Sequence, residues 1–324
     1  MIRKPQILTF YSPMMSPKRW SKHEPSQSPI KPRLLFQYLV QQGLLQHFIT
    51  NERWKPFRNE EFLIAHDPAY VEVFFAGVRP LCESNGLSWS RHFAESVRYT
   101  NASLYHAIEY AVLHPEFVTI SPTSGFHHAL FGSGSEYCTF AGQVIASLKI
   151  YEKYSLSGAH IDLDAHYGNS IEAARSYNPL VTKAIPTWAN LNPNFLGEDY
   201  IDDFVEKLEV VRKGIENGEI HYLVFCHGAD SHIYDDLGGH LETEQWLRCS
   251  RIFYEFVRDQ CPPNFPLTLF LSGGYRKDDY KSVLSLHTAD LAVCLEVLLG
   301  QPVDFQVNVK ERNELKWPEG GEQW

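Results

Sequence analysis

Ala159-His160-Ile161-Asp162-Leu163-Asp164-Ala165-His166-Tyr167-Gly168-Asn169 begins as a strand, ends as a turn, and sets two acids and a histidine in alternation. Successive side chains on an extended backbone face opposite sides. Asp162, Asp164 and His166 therefore share one face for as far as the extension continues, and Ile161, Leu163 and Ala165 share the other. Three ionisable groups on one side of an apolar strand are costly to bury without a counter-charge or a hydrogen-bond network. A divalent metal supplies both. A polar network without metal, or a set of exposed turn acids, competes as a reading of any DxD pattern; the histidine in the same register at a strand end weighs against it.

The same arrangement recurs on both sides of this stretch. Strand-like runs at 117–120, 159–163, 222–226 and 267–271 each end in an unusual polar cluster: Ser124-Gly125-Phe126-His127-His128, then Asp164 and His166, then Gly228-Ala229-Asp230, then Ser272-Gly273-Gly274-Tyr275. Helical spacing fills the intervals at about 140–154, 200–216, 243–258 and 287–299. Strands alternating with helices predict a parallel sheet covered on both faces. In such sheets ligands bind beyond the carboxyl ends of the strands, where all four clusters fall.

Upstream, residues 7–11 suit a first strand, and 12–32 form a proline-rich loop of the kind that is functional or disordered. Apolar residues from Leu34 to Phe48 follow helical spacing after Pro32, residues 62–65 suit a second strand, and helices are expected at 68–78 and 91–113. The pattern runs on without a linker, which predicts one catalytic domain over 1–324 with a polar extension from about 301 to 324 on its surface.

Composition limits the function. The 324 residues, 44% hydrophobic and 14% aromatic, can build a large core. A net charge of −10 argues against a general nucleic-acid binder, which needs a basic face. Six scattered cysteines without a CxxC pair predict reduced thiols and a cytoplasmic-type compartment. The first fifteen residues are interrupted by Pro5 and Pro13 and give no signal-peptide core, and no run approaches the roughly 18 apolar residues of a spanning helix. Oligomeric state is not legible.

Asp164, His166 and Asp230 supply two carboxylates and an imidazole from two strand ends, a set suited to a catalytic metal that keeps one position open for water. His127-His128 offers a general base and an electrostatic partner. Tyr275 follows two glycines and could donate to a developing oxyanion, although on its own it reads equally as a core tyrosine.

Taken with Ala129, Tyr167-Gly168-Asn169 and Asp236-Leu237-Gly238-Gly239, these four clusters in this order resemble the signature of the histone deacetylase family over about residues 66–299. The Ser-Gly-Gly-Tyr form and the Ile161–His166 segment look most like its class IV branch and bacterial deacetylase-like amidohydrolases. The resemblance implies a three-layer α/β/α fold of the arginase/deacetylase type with a central, mostly parallel sheet. It implies zinc held by Asp164, His166 and Asp230, and His127 and His128 as the histidine pair, with His128 the base. Asp162 would support His127, Asn169 would support His128, and Tyr275 would polarise the acyl carbonyl. A structural monovalent cation such as K+ near the backbone of 162–166 is also implied.

The chain departs from the family pattern at the channel. Ser124 and Ser170 replace glycines, and Glu136-Tyr137-Cys138 stands where Gly-Phe-Cys is usual, so Tyr137 would be the channel-wall aromatic with an acid beside it. Phe195 is the candidate for the opposite wall, with Gly125 and Phe126 also lining the channel, and residues 12–32 and 83–92 are expected to shape its mouth. The readings are a zinc-dependent deacylase for acetyl or longer acyl-lysine, an amidohydrolase for a small acylated amine such as an acetylpolyamine, and a catalytically silent interaction protein on the same scaffold. A dinuclear manganese enzyme ranks below them, because it would need further bridging carboxylates.

Overall fold

The computed structural model describes residues 6–312. The sequence readings made on residues 1–5 and on the outer part of the extension, 313–324, lie outside the described residues.

Seven strands form one sheet in which every pair is parallel. They are β1 (Ile7–Thr9), β2 (Phe48–Thr50), β3 (Val118–Ser121), β4 (Gly158–Asp162), β5 (Asn190–Leu191), β6 (Tyr222–Gly228) and β7 (Leu267–Ser272), in the order β2-β1-β3-β7-β6-β4-β5. Every residue of β4, β6 and β7 is buried, which explains why these strands read as nearly continuous apolar runs. The strands β3, β7, β6 and β4 are neighbours, so the four polar clusters that follow them meet along one edge of the sheet.

Ten α-helices occur among the described residues: α1 (Lys31–Gln41), α2 (Asn59–Phe62), α3 (Pro68–Ala76), α4 (Arg91–Leu113), α5 (Gly142–Tyr154), α6 (Ser170–Arg175), α7 (Leu180–Ala184), α8 (Gly197–Glu216), α9 (Thr243–Gln260) and α10 (Tyr280–Leu299). They pack in two rows, α4–α5–α7 and α1–α10–α9–α8, and with the sheet make three α/β/α layers. Local chemistry sets their starts. The Asp67 side chain accepts from Ala69 N at 2.7 Å with Pro68 in the first turn of α3, and Ser90 Oγ accepts from Phe93 N at 3.1 Å at the start of α4.

Three expectations change. Residues 62–65 are not a strand: Phe62 closes α2, and its ring packs 4.5 Å from Phe140 and 5.2 Å from Phe75. A short apolar run cannot by itself separate a strand from a buried helical turn. The second strand is instead Phe48–Thr50, because the helical spacing after Pro32 breaks at Gln41, where Gly43 adopts φ +69°. Finally, α10 is long and apolar enough to span a membrane by composition, contrary to the expectation that no segment is. Most of it is buried in the protein, and Ser282, Ser285, Thr288 and Asp290 on it are buried with it, which marks a core helix between α1 and α9.

Trp246 of α9 links the core to the end of β6. Its ring is fully buried, stacks on His227 at 3.6 Å, and donates from Nε1 to Gly228 O at 3.0 Å. Trp246→Ala should destabilise by about 3–5 kcal/mol in denaturant unfolding. Trp246→Phe keeps the ring stack and should cost much less, about 1 kcal/mol for the lost hydrogen bond.

Candidate active site

Extended backbone in β4 ends at Asp162, and the chain then bends, so Asp164 and His166 are aimed by local hydrogen bonds rather than by strand alternation alone. Asp162 Oδ1 accepts from Asp164 N at 3.1 Å, and Asp164 Oδ1 accepts from His166 N at 3.0 Å. Asp230 arrives from the turn after β6, with Oδ1 accepting from Ala165 N at 3.3 Å. The ligand atoms of Asp164, His166 and Asp230 lie within 4.8 Å of one another, and His166 Nδ1 is 3.0 Å from a carboxylate oxygen of each acid.

Protein groups alone leave this cluster short of positive charge. Both carboxylates are buried, Asp230 completely. Burial, and then the adjacent Asp164 carboxylate, push Asp230 up to about 8. Burial acts on Asp164 in the same direction, but the neighbouring His127 and His166 outweigh it and hold that group well below the usual carboxylate range. Burial also disfavours charge on His166, yet contact with both acids raises it to about 12. Two buried carboxylates converging with an imidazole are a donor set suited to a divalent cation. Glycine keeps the space around Asp230 clear: a Cβ on Gly273, where φ is +45°, would collide with the Asp230 carboxylate.

The remaining predicted residues sit around the cluster. His127 and His128 follow β3 with ring centroids 4.0 Å apart. His127 Nδ1 is 2.9 Å from Asp162 Oδ2, and its Nε2 is 3.8 Å from Asp164 Oδ2. Burial opposes charge on His127, but Asp164 and Asp162 prevail and raise it to about 9. His128 Nδ1 is 3.3 Å from Asn169 Oδ1; burial, and then the charge on His127, lower this imidazole to about 3, so it is neutral at physiological pH. The Tyr275 ring lies 6.4 Å from His166 and 5.6 Å from Tyr137. Burial, and then Asp164 and Asp230, hold its phenol well above 10, which keeps it a hydrogen-bond donor.

The channel residues divide. Gly125, Phe126 and Tyr137 line a small cavity of about 30 Å³ together with Met15, Pro32 and Phe93. This places part of the 12–32 loop beside the site, and Ser88 N donates to Glu24 Oε2 at 3.3 Å, joining that loop to the 83–92 segment. Phe195 is 53% exposed on the segment before α8.

Several residues around the site were given no role by the sequence reading. Lys31 of α1 is fully buried and donates to Ser272 O at 3.2 Å and to Gly273 O; burial lowers it to about 8 against the pull of Asp230 and Asp164. Ser272 Oγ donates to Asp164 Oδ2 at 2.7 Å, Cys226 Sγ to Asp162 Oδ1 at 2.9 Å, and Tyr275 N to Asp235 Oδ2 at 2.8 Å. Of these, Ser272 lies within a quoted motif and Asp235 adjoins one, so both were findable. Lys31 lies far from any of them.

Residues 25–184 match the histone deacetylase domain family. That match spans 160 of the 324 residues, just under half of the chain, and supports membership of the histone deacetylase family. The acetoin utilization protein AcuC of Bacillus subtilis (strain 168) is 28% identical over 136 residues, a match that covers 35% of this chain and 35% of that relative. The crystal structure of the HDA15 HD domain superposes with a TM-score of 0.68 at 15% identity, covering 93% of this chain and 92% of that one, and so shows the shared fold. Asp230 and Tyr275 lie beyond the family match, and the fold brings them to the cluster formed by residues within it.

Protein incubated with zinc and desalted is expected to retain about one equivalent per chain by elemental analysis, and Asp230→Ala to retain little. Equal retention by the two would rule out Asp230 as a ligand.

Proposed function

We propose that this chain is a zinc-dependent amide hydrolase that removes an acetyl or longer acyl group from a lysine side chain. The observation that supports it most is the convergence, from four adjacent strand ends, of two buried aspartates with a half-buried histidine, a histidine pair with unlike protonation, and a protonated phenol. Asp164, His166 and Asp230 would hold the metal. When bound there, zinc supplies Lewis acidity and lowers the pKa of water.

The protein's own groups divide the proton work. Neutral His128, oriented through Nδ1 by Asn169, accepts the proton of the water that attacks the acyl carbon. Cationic His127, held by Asp162, stabilises negative charge as it develops beside the cluster. The Tyr275 hydroxyl donates to the carbonyl oxygen. When the carbon–nitrogen bond breaks, the proton taken up by His128 passes to the departing amine, and the acyl group leaves as a carboxylate. The six cysteines are all free and buried, which supports a reducing compartment.

A second reading, hydrolysis of a small acylated amine, is favoured by one observation. The Glu136 carboxylate, with a side chain 67% exposed, reaches within 3.3 Å of His128 Nε2 and so puts an acid where a second amine of the substrate could pair. A panel of acyl-lysine peptides and acylated polyamines, each from acetyl to long-chain acyl, separates the readings. The first expects the KM for peptides to be unaltered by Glu136→Gln. The second expects polyamine turnover that falls with that substitution through a higher KM. Tyr275→Phe should lower kcat by about 10²–10³-fold with KM little changed; unaltered kcat would remove the phenol from the mechanism.

A further inference from the structure

The segment after α10 does more than lie on the surface. Burial alternates along residues 302–309, with Val303, Phe305, Val307 and Val309 packed on the core and Pro302, Asp304, Gln306 and Asn308 exposed between them; Phe305 N donates to Val303 O at 2.9 Å in a tight turn. That period of two gives the segment one buried face. Asn308 N donates to Ser285 Oγ at 2.7 Å, and Lys310 N donates to Ser282 Oγ at 3.0 Å. Both serines belong to α10, and the later strap residue meets the earlier helix residue. The strap therefore runs back along α10 toward its start and delivers residue 312 to the loop that precedes the helix, the loop that carries Tyr275.

There Arg312 joins two loops. Its Nη1 lies 2.6 Å from Asp236 Oδ1 in the loop after β6, and its Nη2 donates to Asp278 Oδ1 in the loop after β7. The same two loops meet through backbone bonds: Tyr275 N to Asp235 Oδ2 at 2.8 Å and Lys277 N to Asp236 Oδ2 at 2.9 Å. Arg276 Nε adds a contact to Asp278 Oδ1 at 3.1 Å. The side chains of Arg312 and Asp236 are only 11% and 13% exposed, so their pairing is shielded from solvent more than an ordinary surface ion pair.

We propose that Arg312 is a positioning residue: by clamping Asp236 to Asp278 it holds the 275–278 loop against the 235–236 loop and fixes the Tyr275 phenol at the metal cluster. The inference rests on Tyr275 donating to the acyl oxygen, as read above. Without the guanidinium, the two loops keep their backbone bonds but lose the cation that ties Asp236 to Asp278, and a displacement of the phenol of even about 1 Å would cost turnover rather than binding. The Arg312 hydrogen bond is also the first reason that the Asp278 carboxyl sits well below the usual range.

The test uses the full chain and two readouts. Arg312→Ala should lower kcat by about 10–100-fold with KM unchanged, and Arg312→Lys, which keeps a cation, should recover part of the loss. In a Tyr275→Phe background, Arg312→Ala should cost nothing further, since the group it positions is gone. If it costs the same factor in both backgrounds, Arg312 acts on the fold in general and the inference fails. If Tyr275→Phe is impaired while Arg312→Ala keeps full kcat, the inference fails and the Tyr275 reading stands; if Tyr275→Phe keeps full kcat, both fall. Hydrogen exchange gives the activity-independent arm. Arg312→Ala should speed exchange of the Tyr275 and Lys277 amides while β6 keeps its protection, and either no change or acceleration throughout the chain would overturn the assignment.

Discussion

Two carboxylates within reach of one imidazole, buried where water does not solvate them, are the constraint to which much of the molecule answers. Asp164 and Asp230 repel each other across a region of low dielectric, and the elements packed around them contribute donors. Ser272 gives a hydroxyl and Ala165 a backbone N–H, and the buried ammonium of Lys31 lies near both acids while bonded to carbonyls of the Ser272–Gly273 turn. Breaking any one of these leaves a buried charge less satisfied, a far larger penalty than a surface contact would carry.

The parallel sheet is what makes such a site affordable. Each strand ends where its backbone amides and carbonyls need partners, so polar side chains placed there do double service in turns and in the site. Asp162 shows this at one position: its carboxylate accepts from Asp164 N, from Cys226 and from His127, and so ties the end of β4 to β6 and to the loop after β3. Adjacent placement of β3, β7, β6 and β4 means that no long loop is required to bring the parts together.

This architecture also explains what the sequence disclosed. The polar residues at strand ends were legible because they interrupt apolar runs. Lys31 was not, because its function depends on α1 packing beneath the Ser272–Gly273 turn, a contact between residues 241 apart in the chain. The 303–309 strap hid for another reason: its alternation of valines and phenylalanine with polar residues sits in a stretch whose composition is polar overall, and alternation was outweighed by average. Asp235 and Asp236 precede glycines, where turn chemistry accounts for them without the bonds they make to Tyr275 and Lys277.

Glu136 and Tyr137 show where this chain spends conformational energy. Both are non-glycine residues at positive φ, +43° and +64°, a combination that costs on the order of 1–3 kcal/mol per residue unless the surroundings enforce it. The surroundings do: Tyr137 N donates to Asn85 O at 2.8 Å, Ser135 N to Cys138 O at 3.0 Å, and the Asn85 side chain is itself anchored on Thr139 at 2.8 Å. The result turns one ring toward Tyr275 and one carboxylate toward His128. Glycine would take that backbone without strain but would present no carboxylate. The strained pair is therefore best understood as a side-chain requirement imposed on a turn that the backbone alone would give to glycine, beside an Asp-His-Asp set of the kind that could hold a metal.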